Sequence, residues 1–227
     1  VDYASLLDPL GNAVHTVLAG EIAARSVAVL GCGPIGLFAV AVARACGASQ
    51  IFACEVRQQR LELAARMGAD LALNSRLVDP VARVLEATSG RGVDVVLEMS
   101  GHPDAIHQGF RMLRRGGRIS LLGIPSRPVE LDLPNDIIFK GATVQGISGR
   151  RMFQTWYQMQ ALLVSGRLNL APAITDRIPL ADYRRGFEML MAGDASKIIM
   201  FPETAAAREA ASECAVRNAE CGVRSTE

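Results

Sequence analysis

The chain has 227 residues, half of them hydrophobic, with 24 Lys and Arg against 23 Asp and Glu. That balance gives no electrostatic reason to expect nucleic acid or an anionic membrane as a partner, and no apolar run approaches the length of a membrane span. The length suits one large domain or two small ones with a sizeable core.

The first conspicuous stretch is "LLDPLGNAVHTVL" (6–18). It is too polar for a buried strand, and the pattern predicts a helix beginning at Gly11 and Asn12. "SVAVLG" (26–31) then reads as a strand and "PIGLFAVAVARACG" (34–47) as a helix ended by Gly47. "QIFACEV" (50–56) is a strand, "RQQRLELAARMG" (57–68) a helix and "DLALN" (70–74) a short strand. "VDPVARVLEATSG" (78–90) is a helix with Pro80 in its first turn, where proline is tolerated. "VDVVLEMSG" (93–101) is a strand, "PDAIHQGFRMLRRGG" (103–117) a helix, and "RISLLGI" (118–124) and "ATVQGIS" (142–148) are strands.

Short strands rich in Val, Ile and Leu that alternate with longer helices mean βαβ units and a parallel sheet covered on both faces. Right-handed crossovers then give an α/β, doubly wound fold. After Arg150 the pattern changes. "MFQTWYQMQALLVSG" (152–166) and "ADYRRGFEMLMAG" (181–193) read as helices, with "ITDRIPL" and "KIIMFP" extended. Residues 204–227 are rich in Ala and lack a large apolar face, so a frayed helix or disordered tail is expected.

Cysteines stand at 32, 46, 54, 214 and 221, with no Cys-x-x-Cys pair. An odd, scattered set is a poor disulfide framework and suits reduced thiols. No stretch reads as a signal peptide, so a cytoplasmic location is expected. His15, His102 and His107 are not spaced as a metal set.

"GCGPIG" is Gly31-x-Gly33-x-x-Gly36. The motif alone is weak, but here it closes a strand and opens a helix, the context it requires. Gly31 permits the tight turn, Gly33 leaves room for a pyrophosphate, and Gly36 lets the helix lie close on the strand. Pro34 fits a first helical turn, whose free N–H groups face an anion. Glu55 lies 24 residues after Gly31 and 19 after Gly36, near the spacing of about 20 expected for a ribose-binding acid. A carboxylate there would repel a 2′-phosphate and favours NAD over NADP. Arg57 and Arg60 beside it could instead attract that phosphate. Ligands in such sheets bind at the carboxyl ends of strands, which adds "EMSG" (98–101) with Ser100, "LLGIP" (121–125), and "GISGR" (146–150) with Arg150 as a pyrophosphate partner.

Together "DPLGNAVHT" (8–16), "GPIG" (33–36), "RLELAARMGA" (60–69), "LEMSG" (97–101), "GGRISLLGIP" (116–125), "IIFKG" (137–141) and "GRRMFQTWYQM" (149–159) resemble the cofactor half of the medium-chain, zinc-type alcohol dehydrogenases. The likeness covers residues 1 to about 203. "GNAVHT" and "MFQTWYQM" are its more specific features, and resemble the branch that oxidises the secondary alcohol of L-threonine to 2-amino-3-oxobutanoate.

The resemblance implies an oxidoreductase passing a hydride to NAD, with a catalytic zinc that polarises the alcohol oxygen. It implies that Glu55 and Arg60 hold the adenosine ribose and that Ile35, Leu122, Ile147 and Ser148 lie on the nicotinamide side. Asp8 falls where relatives place a residue at the catalytic metal.

The family's zinc-binding catalytic domain has no counterpart in this chain, so zinc is expected in the parent enzyme and not on this chain. No catalytic residue is assigned. The expected organisation is an NAD-binding domain over 1–171, a segment over 172–203 that packs on the catalytic domain, and the tail over 204–227. The chain is expected to be a truncated piece, inactive alone, with a small-molecule substrate. The sixth strand, 142–148, is the expected edge for a homo-oligomer. A polyol or simple secondary-alcohol dehydrogenase of the same family, and a non-catalytic nucleotide-binding module, remain alternatives.

Overall fold

The computed structural model of the protein describes residues 2–202. They divide into two compact units, one over Leu7–Ala173 and one combining 2–6 with 174–202. The tail, with Cys214 and Cys221, lies outside the described residues.

The larger unit is a six-stranded parallel sheet. Its strands are β1 (Ser26–Leu30), β2 (Gln50–Glu55), β3 (Leu71–Asn74), β4 (Val93–Glu98), β5 (Leu113–Leu121) and β6 (Thr143–Gly146). Their spatial order is β3-β2-β1-β4-β5-β6. The order reverses at β1, and this opens a crevice beyond the carboxyl ends of β1 and β4. Register aligns those ends: Leu30 pairs with Cys54 on one side and Glu98 on the other.

Helices α1 (Leu7–Val17), α2 (Pro34–Ala45), α3 (Gln58–Arg66), α4 (Pro80–Ala87) and α5 (Pro103–Met112) flank the sheet, and α6 (Gln154–Val164) packs on α1. α2 packs on both β1 and α1, so two of its faces need apolar cover. Leu37 through Ala43 are accordingly all buried. Ala28, Leu30, Phe52, Val96, Phe110 and Ile119 form much of the core on the α4 and α5 side. Burial of each large side chain contributes on the order of 2 kcal/mol.

Two expected boundaries are corrected. The first helix starts at Leu7, four residues before Gly11. Pro9 sits in its first turn, where a missing N–H leaves no helical bond unmade, and Asp8 suits the positive end of the helix dipole. The helix expected over 103–117 ends at Met112, and Leu113 already pairs with Val93. Arg114 and Arg115 favour a helix by intrinsic propensity. However, Gly116 adopts a φ of 68° and donates its N–H to Lys140 O at 2.7 Å. That turn, with a register irregularity between Val93 and Val95, draws the segment into β5. Leu133–Ile138 forms a π-helical turn that the sequence patterns did not mark.

In the smaller unit, β7 (Ile174–Pro179) and β8 (Lys197–Phe201) pair in parallel, joined through α7 (Tyr183–Ala192). Asp2 Oδ2 accepts Arg177 Nε at 2.9 Å and Nη2 at 2.6 Å. Phe187 and Met191 on α7 are exposed, at 58% and 85%.

Candidate functional site: a crevice at the carboxyl edge of the sheet

A crevice of about 580 Å³ lies over the carboxyl ends of the strands. Of the residues nominated from sequence, it gathers Gly31, Gly33, Glu55, Arg60 and Ser100 along its walls. Pro34 and Gly36 build the junction behind it. Ile35, Leu122, Ile147, Ser148 and Arg150 are not on its lining. Leu122 and Ile147 nonetheless follow neighbouring strand ends, where the Leu122 N–H donates to Glu98 O and the Ile147 N–H to Leu121 O, both at 2.9 Å.

Each glycine of the loop meets a different constraint. Gly31 has a φ of 90°, and a Cβ there would lie 2.8 Å from Ser100 Cβ. A Cβ on Gly36 would lie 2.0 Å from the Gly31 carbonyl oxygen, so only glycine lets α2 approach β1. A Cβ on Gly33 would meet nothing within 4 Å, so this glycine faces open space. Gly33 is also the N-cap of α2, without a side-chain cap, and Pro34 follows it. The first-turn N–H groups of α2 are therefore left for a ligand, and the helix dipole favours an anion there.

Two buried glutamates shape the turns on either side. Glu55, at the end of β2, is 7% exposed. Its Oε2 accepts the Cys32 N–H at 2.9 Å, and its Oε1 accepts the N–H groups of Val56 at 2.7 Å and Arg57 at 3.2 Å. Arg60 Nη1 stands 3.5 Å from Oε2. Glu98, at the end of β4, is fully buried. Its Oε1 accepts the Ser100 N–H at 2.9 Å and hydroxyl at 2.5 Å, and both carboxylate oxygens meet the Gly101 N–H near 3 Å.

Sequence patterns had placed Glu98 only within a strand end. Its signal was an acid at the carboxyl end of a strand whose remaining residues, Asp94 apart, are apolar. Ser75, Arg76, His102 and Gln108 also line the crevice and were missed. Ser75 and Arg76 follow the end of β3, so the strand-end rule applied to β3 would have found them.

The cysteines at the crevice are buried. Burial raises the Cys32 thiol well above its ordinary pKa and pushes Cys54 up to about 12. Neither is a thiolate near neutral pH.

The opening block and the "GISGR" turn meet each other. Asp8 Oδ1 accepts Arg150 Nη1 at 2.7 Å, and His15 Nδ1 lies 2.9 Å from Gly149 O. The Arg150 stem crosses Gly11, where a Cβ would sit 2.4 Å from Arg150 Cδ. His15 thus packs α1 against the turn before α6. Among the described residues no three His, Cys, Asp or Glu side chains could hold a metal ion together. With Asp8 already paired to a guanidinium, zinc does not fit on these residues.

Residues 34–165 match the family described as zinc-binding dehydrogenase. The chain is 50% identical over 201 residues to L-threonine 3-dehydrogenase of Bacillus licheniformis, spanning 88% of this chain and 58% of that protein. An alcohol dehydrogenase structure from Thermotoga maritima superposes with a TM-score of 0.81 at 31% identity, covering 88% of this chain and 56% of that one. A zinc-binding dehydrogenase from Sinorhizobium meliloti, bound to NADP, gives a TM-score of 0.78 at 27% identity, covering 87% and 58%. The chain thus spans well under two thirds of the length of the proteins it matches. The glycine loop, the strand-end crevice and the match over 34–165 agree: this chain belongs to the zinc-binding dehydrogenase family.

Proposed function

We propose that this chain is the NAD-binding half of a dehydrogenase that oxidises the secondary alcohol of L-threonine. The observation that carries the NAD assignment is the joint position of Gly33 and Glu55 on one crevice: an open glycine at an uncapped helix start, and a buried carboxylate at the end of the next strand. The first-turn N–H groups of α2 would hold a pyrophosphate. Glu55 and Arg60 would face an adenosine ribose, with Ser100 on the opposite wall. Ile35, Leu122, Ile147 and Ser148 extend this surface toward a nicotinamide ring, and Arg150 toward the pyrophosphate once released from Asp8. When bound, the cofactor supplies the hydride acceptor.

The carboxylate of Glu55 disfavours a 2′-phosphate, which supports NAD over NADP. The threonine assignment is supported by the 50% identity to enzymes of that name. A polyol or other secondary alcohol is the alternative substrate. The zinc ligands would come from the part of the relatives' length that this chain does not span. Asp8 would join that site only alongside ligands from there.

The chain over 1–171 would then be the cofactor domain and 172–203 the segment that packs on the catalytic domain. Alone, the chain would not turn over. β6 lies at the sheet edge with Val144 38% exposed, and pairing with a second copy there would close the edge. Among the described residues Cys32, Cys46 and Cys54 are free thiols, which supports a cytoplasmic location.

Calorimetry of the purified chain with NAD and NADP tests the cofactor assignment. NAD should bind more tightly. Absence of NAD binding would leave only the non-catalytic module. NAD reduction by the chain with threonine and zinc would overturn its inactivity alone.

A further inference from the structure

We propose that the chain carries a second anion site, for a compact oligophosphate, at the amino-terminal end of the sheet, away from the glycine loop. A cavity of about 590 Å³ opens there beside the start of β5. Arg91, Arg111, Arg114, Arg115 and Lys140 line it, and no carboxylate does. They converge because the turn after α4, the end of α5, the irregular start of β5 and the turn after Ile138 meet at this corner.

The five cations are not equally engaged. Arg114 Nε donates to Asp94 Oδ1 at 2.6 Å. Lys140 Nζ donates to Leu113 O at 3.0 Å and also to Phe110 O, and the charge of Asp136 acts on it. Arg91 makes one long contact, Nε to Thr88 O at 3.4 Å. Arg111 and Arg115 have no carboxylate within ion-pairing distance among the described residues. Asp94 and Asp136 thus offset two charges of five, and three guanidinium groups share one concavity without a counter-charge.

Guanidinium forks match phosphate oxygens in bidentate geometry. Three of them around one cavity match an anion with several phosphoryl groups better than a single ion. The cations are gathered at one concavity and not strung along a face, which favours a small ligand over a nucleic acid track. Phe139, 70% exposed, forms an apolar wall where a nucleotide base could lie. The shared chemistry is the oligophosphate, either inorganic or carried by a nucleotide.

Titration calorimetry at fixed ionic strength, with tripolyphosphate and with ATP, tests this on the whole chain. The wild type should bind tripolyphosphate, and Arg111→Gln/Arg115→Gln should weaken binding by at least about tenfold. Gly33→Asp, which obstructs the glycine loop, should leave that binding in place. The double variant should melt like the wild type, since neither side chain is anchored. Tighter binding of ATP that is lost in Phe139→Ala would assign a nucleotide, and equal affinities an inorganic oligophosphate. Unchanged binding in the double variant, loss of binding only in Gly33→Asp, or binding of long DNA alone would overturn the site.

Discussion

The carboxylate of Glu55 accepts the N–H of Cys32 at 2.9 Å, so the acid that ends β2 also holds the glycine loop that follows β1. Its other oxygen holds the start of the next segment through Val56 and Arg57. A single side chain therefore fixes two turns of the crevice before any ligand arrives. Glu55→Ala should leave these buried donors without a partner and cost about 1–3 kcal/mol. Thermal unfolding without nucleotide should show this loss, and NAD affinity should fall as well. If the variant melts like the wild type, Glu55 does not organise the loop.

Gly33 and Gly36 separate ligand access from packing. Gly33→Ala has room for its methyl at a φ of −64°, so stability should change by no more than about 1 kcal/mol. Its nucleotide affinity should drop, because the methyl points into the proposed phosphate path. Gly36→Ala forces a Cβ to 2.0 Å from the Gly31 oxygen and should cost about 1–3 kcal/mol or more. Urea unfolding and NAD titration on both variants check the pair. Equal stability losses would contradict the geometry.

The contact between α1 and the turn before α6 depends on Gly11. A methyl there would displace the Arg150 stem and break its pairing with Asp8. Gly11→Ala should cost about 1–3 kcal/mol. Asp8→Ala removes only an ion pair whose acid is largely exposed, and should cost less than about 1 kcal/mol. Chemical denaturation of the two variants should rank them in that order.

Asp94 ties three strands at the amino-terminal end of the sheet. Its Oδ2 accepts the N–H and hydroxyl of Ser26, both at 2.8 Å, and its Oδ1 accepts Arg114 Nε. Burial alone would raise its pKa, but these donors outweigh it and hold the carboxyl below its ordinary value. A carboxyl depressed by folding contributes stability that is complete above its unfolded pKa of about 3.9. That contribution is lost as pH falls through the folded value. Asp94→Asn should therefore be less stable than wild type at pH 7, with the gap narrowing toward pH 3. Urea midpoints at the two pH values measure this, and a constant gap would place the effect in packing instead of charge.

The strand and helix alternation was legible because each element of the larger unit buries a face with its own period. Val27–Leu30 on β1 and Leu37–Ala43 on α2 leave no ambiguity. The start of β5 was not legible. Arg114 and Arg115 favour a helix locally, and only pairing of Leu113 with Val93, together with the Gly116 turn, overrides that preference. At the crevice, the glycine spacing and Glu55 were readable because their constraints lie within one βαβ unit. Ser75 and Arg76 reach the crevice because β3 pairs with β2 and sets Asn74 beside Glu55, a neighbour relation that spacing along the chain does not give.

Sequence alone determined the doubly wound class, the glycine loop and the acid at the end of the second strand. Each follows from local pattern: hydrophobic period, backbone freedom at glycine, and residue spacing along one chain segment. Tertiary structure alone decided that Glu55 and Glu98 spend their lone pairs on backbone N–H groups. It also decided that Asp8 meets Arg150, and that five cations gather at the start of β5. Those relationships join residues from different elements, up to 142 positions apart for Asp8 and Arg150. They arise from sheet order and helix packing, which set distances that no spacing along the chain encodes.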